Sequence, residues 1–189
     1  MSPDPRPSLW TARLHLRPFY PADAPAVQQL ANDPDIADTT LSIPYPYEVS
    51  LALQWIWTQR GSFLAGNSVI FAITLADEGT LIGSIGLEIE QRWNRAELGY
   101  WIGKSYRNQG YCTEAALAVV RYGFTELLLH RIHAAYFRRN SASGRVLTKL
   151  GMQREGIARE HVKKNGRYED IVLYGILKQD LEASSSSDT

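Results

Sequence analysis

Residues 107 to 113, Arg-Asn-Gln-Gly-Tyr-Cys-Thr, have the types and the position to bind an anion. Upstream, Ala96 to Ile102 alternates as a strand does. Downstream of Glu114, Ala116, Val119, Val120, Phe124 and Leu127 recur at helical spacing. A glycine-bearing turn that opens a helix leaves its first N–H groups unpaired and aligned, with the positive end of the helix dipole behind them. Phosphate or pyrophosphate fits such a receptor. Gly110 adds a backbone that no side chain screens. Taken alone, the feature also fits an ordinary helix start. It is not a P-loop, which ends in Gly-Lys-Ser/Thr, nor a dinucleotide fingerprint, which needs three glycines and a later acid.

These residues need a frame, and the chain predicts one. Strands are expected at 12–18, 69–75, 81–90, 94–102 and 132–137, with two more at 152–162 and 168–177. Helices are expected at 23–32, 47–64 and 110–128, and from an Asn140 cap to Leu150, where Gly151 stops the turn. Residues 33–46 carry three prolines and read as loop, and Asp77–Thr80 reads as a hairpin turn. That order predicts an α/β (α+β) fold: one domain, with a mixed central sheet of about seven strands and helices on both faces.

Bulk properties narrow the function. The 189 residues fit one domain, expected over 9–180, between a flexible segment 1–8 and a disordered tail 181–189 rich in serine. Net charge is zero, which gives no general nucleic-acid footprint. Arg131, Arg138, Arg139, Arg145, Lys163, Lys164 and Arg167 form a local basic group, read as solvated surface or as support for cofactor phosphates. One cysteine excludes an internal disulfide and suits a reducing cytoplasm. No signal-peptide pattern or membrane-length apolar run is visible, so a cytoplasmic protein with no membrane partner is expected.

Arg107-x-x-Gly110-x-Cys112 resembles the Arg/Gln-x-x-Gly-x-Gly/Ala signature of the GNAT superfamily of acetyl-CoA-dependent N-acetyltransferases. Gln109-Gly-Tyr-Cys-Thr-Glu-Ala115 resembles its RimJ/RimL branch, which acetylates ribosomal-protein N-termini. Leu14-His-Leu-Arg17-Pro, Glu97-Leu-Gly-Tyr100, Asn140-x-x-Ser143 and Lys149-Leu-Gly-Met152 follow that branch in order, and the resemblance covers roughly 9–180. Cys112 departs from it, standing where the family usually has Gly or Ala.

The resemblance implies direct attack of an amine on bound acetyl-CoA, a co-substrate, with no metal, in a splayed cofactor cleft. Amides from Asn108 through Gln109, Gly110, Tyr111 and Cys112 to Thr113 would hold the pyrophosphate, with Arg107 adding charge and the Thr113 hydroxyl a hydrogen bond. The pantetheine arm would lie along Leu98, Gly99, Tyr100, Trp101 and Ile102, and Asn140 would touch it. Gly99 inside a strand marks a bulge, a close approach or simple packing. A backbone N–H near Leu98 to Tyr100 would polarise the thioester, a contribution typically of ~3–4 kcal/mol.

Deprotonation depends on the amine. An α-amine of pKa ~7.7–8.0 is neutral roughly one time in ten at neutral pH, against about once in several thousand for lysine at ~10.4. A weak base therefore suffices for an N-terminus. Glu97 is the first candidate, with a structural carboxylate as the alternative, and His161 and Asp170 follow. Ser143 matches the family's donor to the leaving thiolate, by relay or simple stabilisation; the tyrosine that many members carry one turn later is absent at Val146-Leu147-Thr148. Cys112 raises a covalent acetyl-cysteine route, since a helix N-terminus lowers a thiol pKa. Tyr45, Tyr47, Trp55, Trp57, Trp93 and Trp101 are candidates to cap the acceptor groove or to pack the core.

The expected function is acetyl transfer to a protein or peptide α-amine, such as a ribosomal-protein N-terminus. A small-amine acetyltransferase and a non-catalytic acetyl-CoA-binding module remain as alternatives, and the chain would be a monomer or a homodimer.

Overall fold

A computed structural model describes residues 4–185. The remainder of the expected flexible segment (1–3) and tail (186–189) lies outside them. The first elements are β1 (Leu9–Trp10), β2 (Leu14–Arg17), α1 (Ala24–Ala31), α2 (Pro34–Thr39) and α3 (Val49–Leu64). Next come β3 (Ser68–Leu75), β4 (Leu81–Glu90), β5 (Arg95–Ile102), α4 (Tyr111–Thr125) and β6 (Arg131–Phe137). The chain ends with α5 (Ser141–Lys149), β7 (Gln153–Lys164), β8 (Arg167–Leu177) and α6 (Lys178–Ser185). One eight-stranded sheet runs β1-β2-β3-β4-β5-β6-β8-β7. All neighbours are antiparallel except β5 and β6.

That parallel pair positions the site. It holds only from Arg95–Arg131 to Glu97–His133, after which β5 and β6 part. Beyond Leu98, β5 is paired with β4 alone. Gly103 N–H reaches Ile82 O on β4, so strand alternation turns the main-chain groups of Leu98, Tyr100 and Ile102 into the gap. The expected splayed cleft is therefore a fork in the sheet.

Helices cover both faces. On one face α4 buries Ala115, Ala116, Val119, Val120, Gly123 and Phe124 against Leu87, Leu98 and Ile132. A Cβ on Gly123 would stand 2.8 Å from Ile132 Cδ1, so glycine is what lets α4 lie this close. On the other face α1 and α3 enclose a second cluster around Phe19, Val27, Ala52 and Ile56. In α3, Ala52, Ile56 and Gln59 form the buried stripe. Burying each large side chain is worth ~1.5–3 kcal/mol.

Four expectations change. The sheet has eight strands, because Leu9–Trp10 pairs with Leu16 and His15. The segment 33–46 is not all loop. Asp33 caps Asp35 N–H at 2.9 Å, Pro34 occupies the first turn, and Ile36 and Ala37 are buried, so α2 forms. Helix α4 stops at Thr125, three residues short, as Leu128 turns left-handed and Leu129 N–H bonds Gly123 O. Lastly, α6 carries helix to Ser185 where the tail is expected to be disordered; Asp180 Oδ2 accepts Leu177 N–H at 2.9 Å, and Leu181 packs on the core.

Candidate active site

The fork opens a cleft of about 1630 Å³. At one end lies the turn leading into α4. Asn108 (φ +62) and Gly110 (φ +82) are both left-handed, so the chain turns sharply just ahead of α4. The first N–H taken up by the helix is that of Glu114, bonded to Gly110 O at 3.0 Å. Among the described residues, no group accepts from the N–H of Asn108, Gln109, Gly110, Tyr111, Cys112 or Thr113. The Thr113 hydroxyl is uncommitted as well, and it lines the cleft with Asn108, Gly110, Tyr111 and Cys112. A run of free donors at the positive end of a fifteen-residue helix fits a diphosphate.

The turn is braced by residues that the sequence did not single out. The Glu114 carboxylate takes Thr11 Oγ1 at 2.6 Å, Arg13 N–H at 2.9 Å and Arg13 Nε at 2.7 Å. These bonds hold its carboxyl below the usual range against the opposing effect of burial. Arg13 also donates to Gln109 O at 3.1 Å and lies over the Tyr111 ring. Arg107, expected to add charge for the phosphates, is engaged elsewhere. Its guanidinium holds Asp33 at 2.8 Å, Asp35 at 3.4 Å and Ile102 O at 3.2 Å.

Along the fork, Gly99 pairs with Gly86 in unbroken register, so no bulge forms there. A Cβ on Gly99 would meet nothing within 4 Å, so protein packing does not require glycine at this position. The side faces the open cleft, alongside Leu98, Tyr100, Trp101 and Ile102. Across the gap, α5 begins with Asn140 Oδ1 accepting Ser143 N–H at 3.3 Å. Ser143 Oγ lies 2.7 Å from the Tyr100 hydroxyl. Burial, and secondarily the neighbouring Cys112, raise the Tyr100 phenol above its ordinary range, so it stays protonated.

This tyrosine is the polar partner that sequence reasoning missed. Alternation puts residue 100 on the α5 side of β5, but only the packing of α5 shows what it meets. Tyr136 completes the wall: its hydroxyl would stand 2.5 Å from a Cβ on Gly144, which fixes glycine in α5. The surroundings of Cys112 do not favour the covalent route. Burial pushes its thiol up to about 12, outweighing the helix terminus, so it is not an activated nucleophile.

The opposite face of the fork is acidic. Glu97 lies directly across from Glu88 in the β4–β5 register and beside His133 in the β5–β6 register. Burial in the cleft floor, followed by the charge of Glu97, raises the Glu88 carboxyl. The pairing was readable in the hairpin: two strands turning at 91–94 bring 88 opposite 97. His133 Nε2 is buried, with Glu90 Oε1 3.5 Å away. His161 lines the cleft. Asp170 is occupied, accepting Glu160 N–H at 3.0 Å and Arg138 at 3.1 Å, and both bonds lower its carboxyl. Tyr47, Trp55 and Trp101 line the cleft, whereas Tyr45, Trp57 and Trp93 stand outside it.

Three of the seven residues in the basic group are neutralised by carboxylates. Arg131 pairs with Glu155, Arg138 with Asp170, and Arg139 with Asp38 and Glu169. Among the described residues, no set of three His, Cys, Asp or Glu is placed to hold a metal ion. Nor is any helix among them long and apolar enough to cross a membrane.

Comparison with known proteins agrees with this geometry. A family described as the acetyltransferase (GNAT) domain matches residues 13–153. The uncharacterized N-acetyltransferase p20 of Bacillus licheniformis is 33% identical over 92% of this chain and 97% of its own. An Escherichia coli [ribosomal protein uS5]-alanine N-acetyltransferase is 31% identical over 61% of this chain and 60% of its own. The crystal structure of a GNAT-family acetyltransferase from Bacillus anthracis superposes with a TM-score of 0.82 at 28% identity, covering 92% and 99% of the two chains. The chain belongs to the GNAT acetyltransferase family, and it is an acyltransferase of that family.

Proposed function

We propose, with membership of the GNAT family as the premise, that the chain transfers the acetyl group of acetyl-CoA to the α-amine of a protein or peptide. The observation that carries this reading is the run of six unpartnered amides, 108–113, at the mouth of a forked sheet. Acetyl-CoA would supply the activated acyl thioester. The chain's own residues would do the rest.

Amides 108–113 would hold the diphosphate, and the unpaired edge of β5 would align the arm. The Tyr100 N–H, turned into the gap, is positioned to polarise the carbonyl with no reorganisation. Glu97, at the fork and opening toward the acceptor side, would take the amine's proton. Glu88 lies beside it, and burial, followed by the charge of Glu97, raises its carboxyl. Ser143 Oγ, fixed by Tyr100, would hydrogen-bond the departing sulfur. Transfer of a proton from a phenol raised above its ordinary ~10 to a thiolate of pKa ~8.5 runs uphill, so the pair would act by hydrogen-bonding the sulfur rather than by protonating it.

Support for an α-amine comes from the modest base available, which suits a group already partly neutral, and from the alanine acceptor in the name of the uS5 enzyme. One observation favours a second reading. The Glu88–Glu97 pair gives the acceptor side a negative floor, which suits a small polycationic amine. Thiol release from acetyl-CoA, measured with N-terminal peptides, α-blocked lysine peptides and polyamines, separates the readings. Release with free α-amines supports the proposal; release only with polyamines, or with none, refutes it.

A further inference from the structure

The strands that part after Glu97 and His133 are joined again by α2, a helix too short to be conspicuous. Its N-terminal end is tied to the segment after β5. Arg107 Nη2 holds Asp33 at 2.8 Å and Nη1 holds Asp35 at 3.4 Å, with Lys104 Nζ 3.8 Å from Asp35. Its C-terminal end is tied to the other arm. Arg139, in the connection from β6 to α5, places both terminal nitrogens on Asp38, one of them 2.7 Å from its carbonyl oxygen. The remaining donor of Arg139 holds Glu169 of β8 at 3.0 Å. Asn165, in the β7–β8 turn, reaches Asp38 Oδ1 at 3.5 Å. Helix α2 therefore spans the open end of the fork.

The anchors differ in exposure: Asp33 is shielded, whereas Asp35 at the same end is 59% exposed and Asp38 at the other end is comparably open. The Asp33 side chain is 12% exposed and its Arg107 partner 31%. Asp38 is 50% exposed and Arg139 32%. Exposed ion pairs are individually weak and screened by salt, whereas the shielded pair is backed by an N-cap and by the buried Ile36 and Ala37. The strap is thus hinged at its N-terminal end and releasable at the other. Asp38 and the segment Thr39–Pro44 line the cleft, together with Phe137, Asn140, His161 and Val162.

We infer that the Asp38–Arg139 contact is a latch that selects acceptors by width. With the latch closed, an amine on a slender, flexible chain end enters the cleft. An amine carried on a bulky folded surface requires the C-terminal end of α2 to swing away. Neither residue touches the reacting atoms, and both act through the position of α2. The inference rests on the proposed reading of this part of the cleft as the acceptor side.

The test compares two acceptors that share one N-terminal sequence, a short free peptide and the same residues fused without a linker to a small folded domain. For the wild-type chain, kcat/KM favours the free peptide. Arg139→Ala narrows that preference about fivefold, the effect of releasing one exposed strap. Its CoA affinity stays unchanged, and Arg139→Lys, which keeps the charge without the fork, falls between. Hydrogen exchange at amides 36–39 quickens in Arg139→Ala. If that variant fails to fold, Asp38→Asn reads the same preference. A preference unchanged in folded variants, or narrowed equally by Lys104→Ala at the hinge end, overturns the latch. Absence of turnover of either acceptor by the wild-type chain overturns the acceptor reading and the latch with it.

Discussion

Replacing Gly110 by alanine tests the anion turn, and the chain contains its own control. Gly110 has φ +82 and Gly79, in the β3–β4 hairpin, has φ +69, both in the left-handed region. A Cβ on Gly79 would meet nothing within 4 Å, and one on Gly110 would meet only the end of Arg13 at 3.3 Å. Alanine at either site therefore costs about 1–2 kcal/mol of backbone strain. That lowers the midpoint of thermal unfolding by ~2–4 °C per kcal/mol for a chain of this size. Only at Gly110 does the added methyl sit on a residue within the run of free amides, 108–113. Hydrogen bonds to a charged group are worth ~1.5–3 kcal/mol each, so displacing one weakens CoA binding by ~10–100-fold. Denaturation and calorimetric titration with CoA separate the two effects. The expected result is equal destabilisation of both variants with weakened binding in Gly110→Ala alone. Equal CoA affinity in both variants would refute the assignment of the turn.

Other expectations follow from particular contacts. Glu97→Gln lowers kcat for a peptide acceptor by ~10²-fold or more, the scale of a lost general base; unchanged kcat removes Glu97 from the chemistry. Glu88→Gln raises stability at neutral pH. Its folded carboxyl pKa is elevated, so the native state binds the proton more tightly and stability falls as pH rises from the ordinary carboxylate range through the raised value. The gain over wild type should vanish below the ordinary carboxylate range, and pH-dependent denaturation reads it. Cys112→Ala retains turnover, and the native thiol reacts slowly with alkylating agents near pH 8, since at about 12 only roughly one in ten thousand is ionised. Rapid, pH-independent labelling would contradict that. Gly144→Ala drives a methyl to 2.5 Å from the Tyr136 hydroxyl and destabilises by ~1–3 kcal/mol in urea titration.

Several of these features were legible before any coordinates. The strand–turn–helix around Gly110, the Asn140 cap and the β3–β4–β5 meander follow from local chemistry, and local chemistry decided them. Helix α2 was also locally encoded, in Asp33 as cap and Pro34 in the first turn, but three prolines across 33–46 concealed it. What the sequence could not show depends on distant partners. Arg107 sits in the signature, yet its charge is taken by Asp33 and Asp35, more than seventy positions away. The Tyr100 hydroxyl meets Ser143 only because α5 docks across the fork. Cys112 reads as activated from its helix terminus and as inert once its burial is known.

The most direct test of the central claim is backbone hydrogen exchange at residues 108–113, with and without saturating CoA. The free amides should exchange quickly in the unliganded chain and slow markedly on binding, while the hairpin at 76–80 stays unchanged. Exchange that remains fast at 108–113 in the saturated protein would contradict the account.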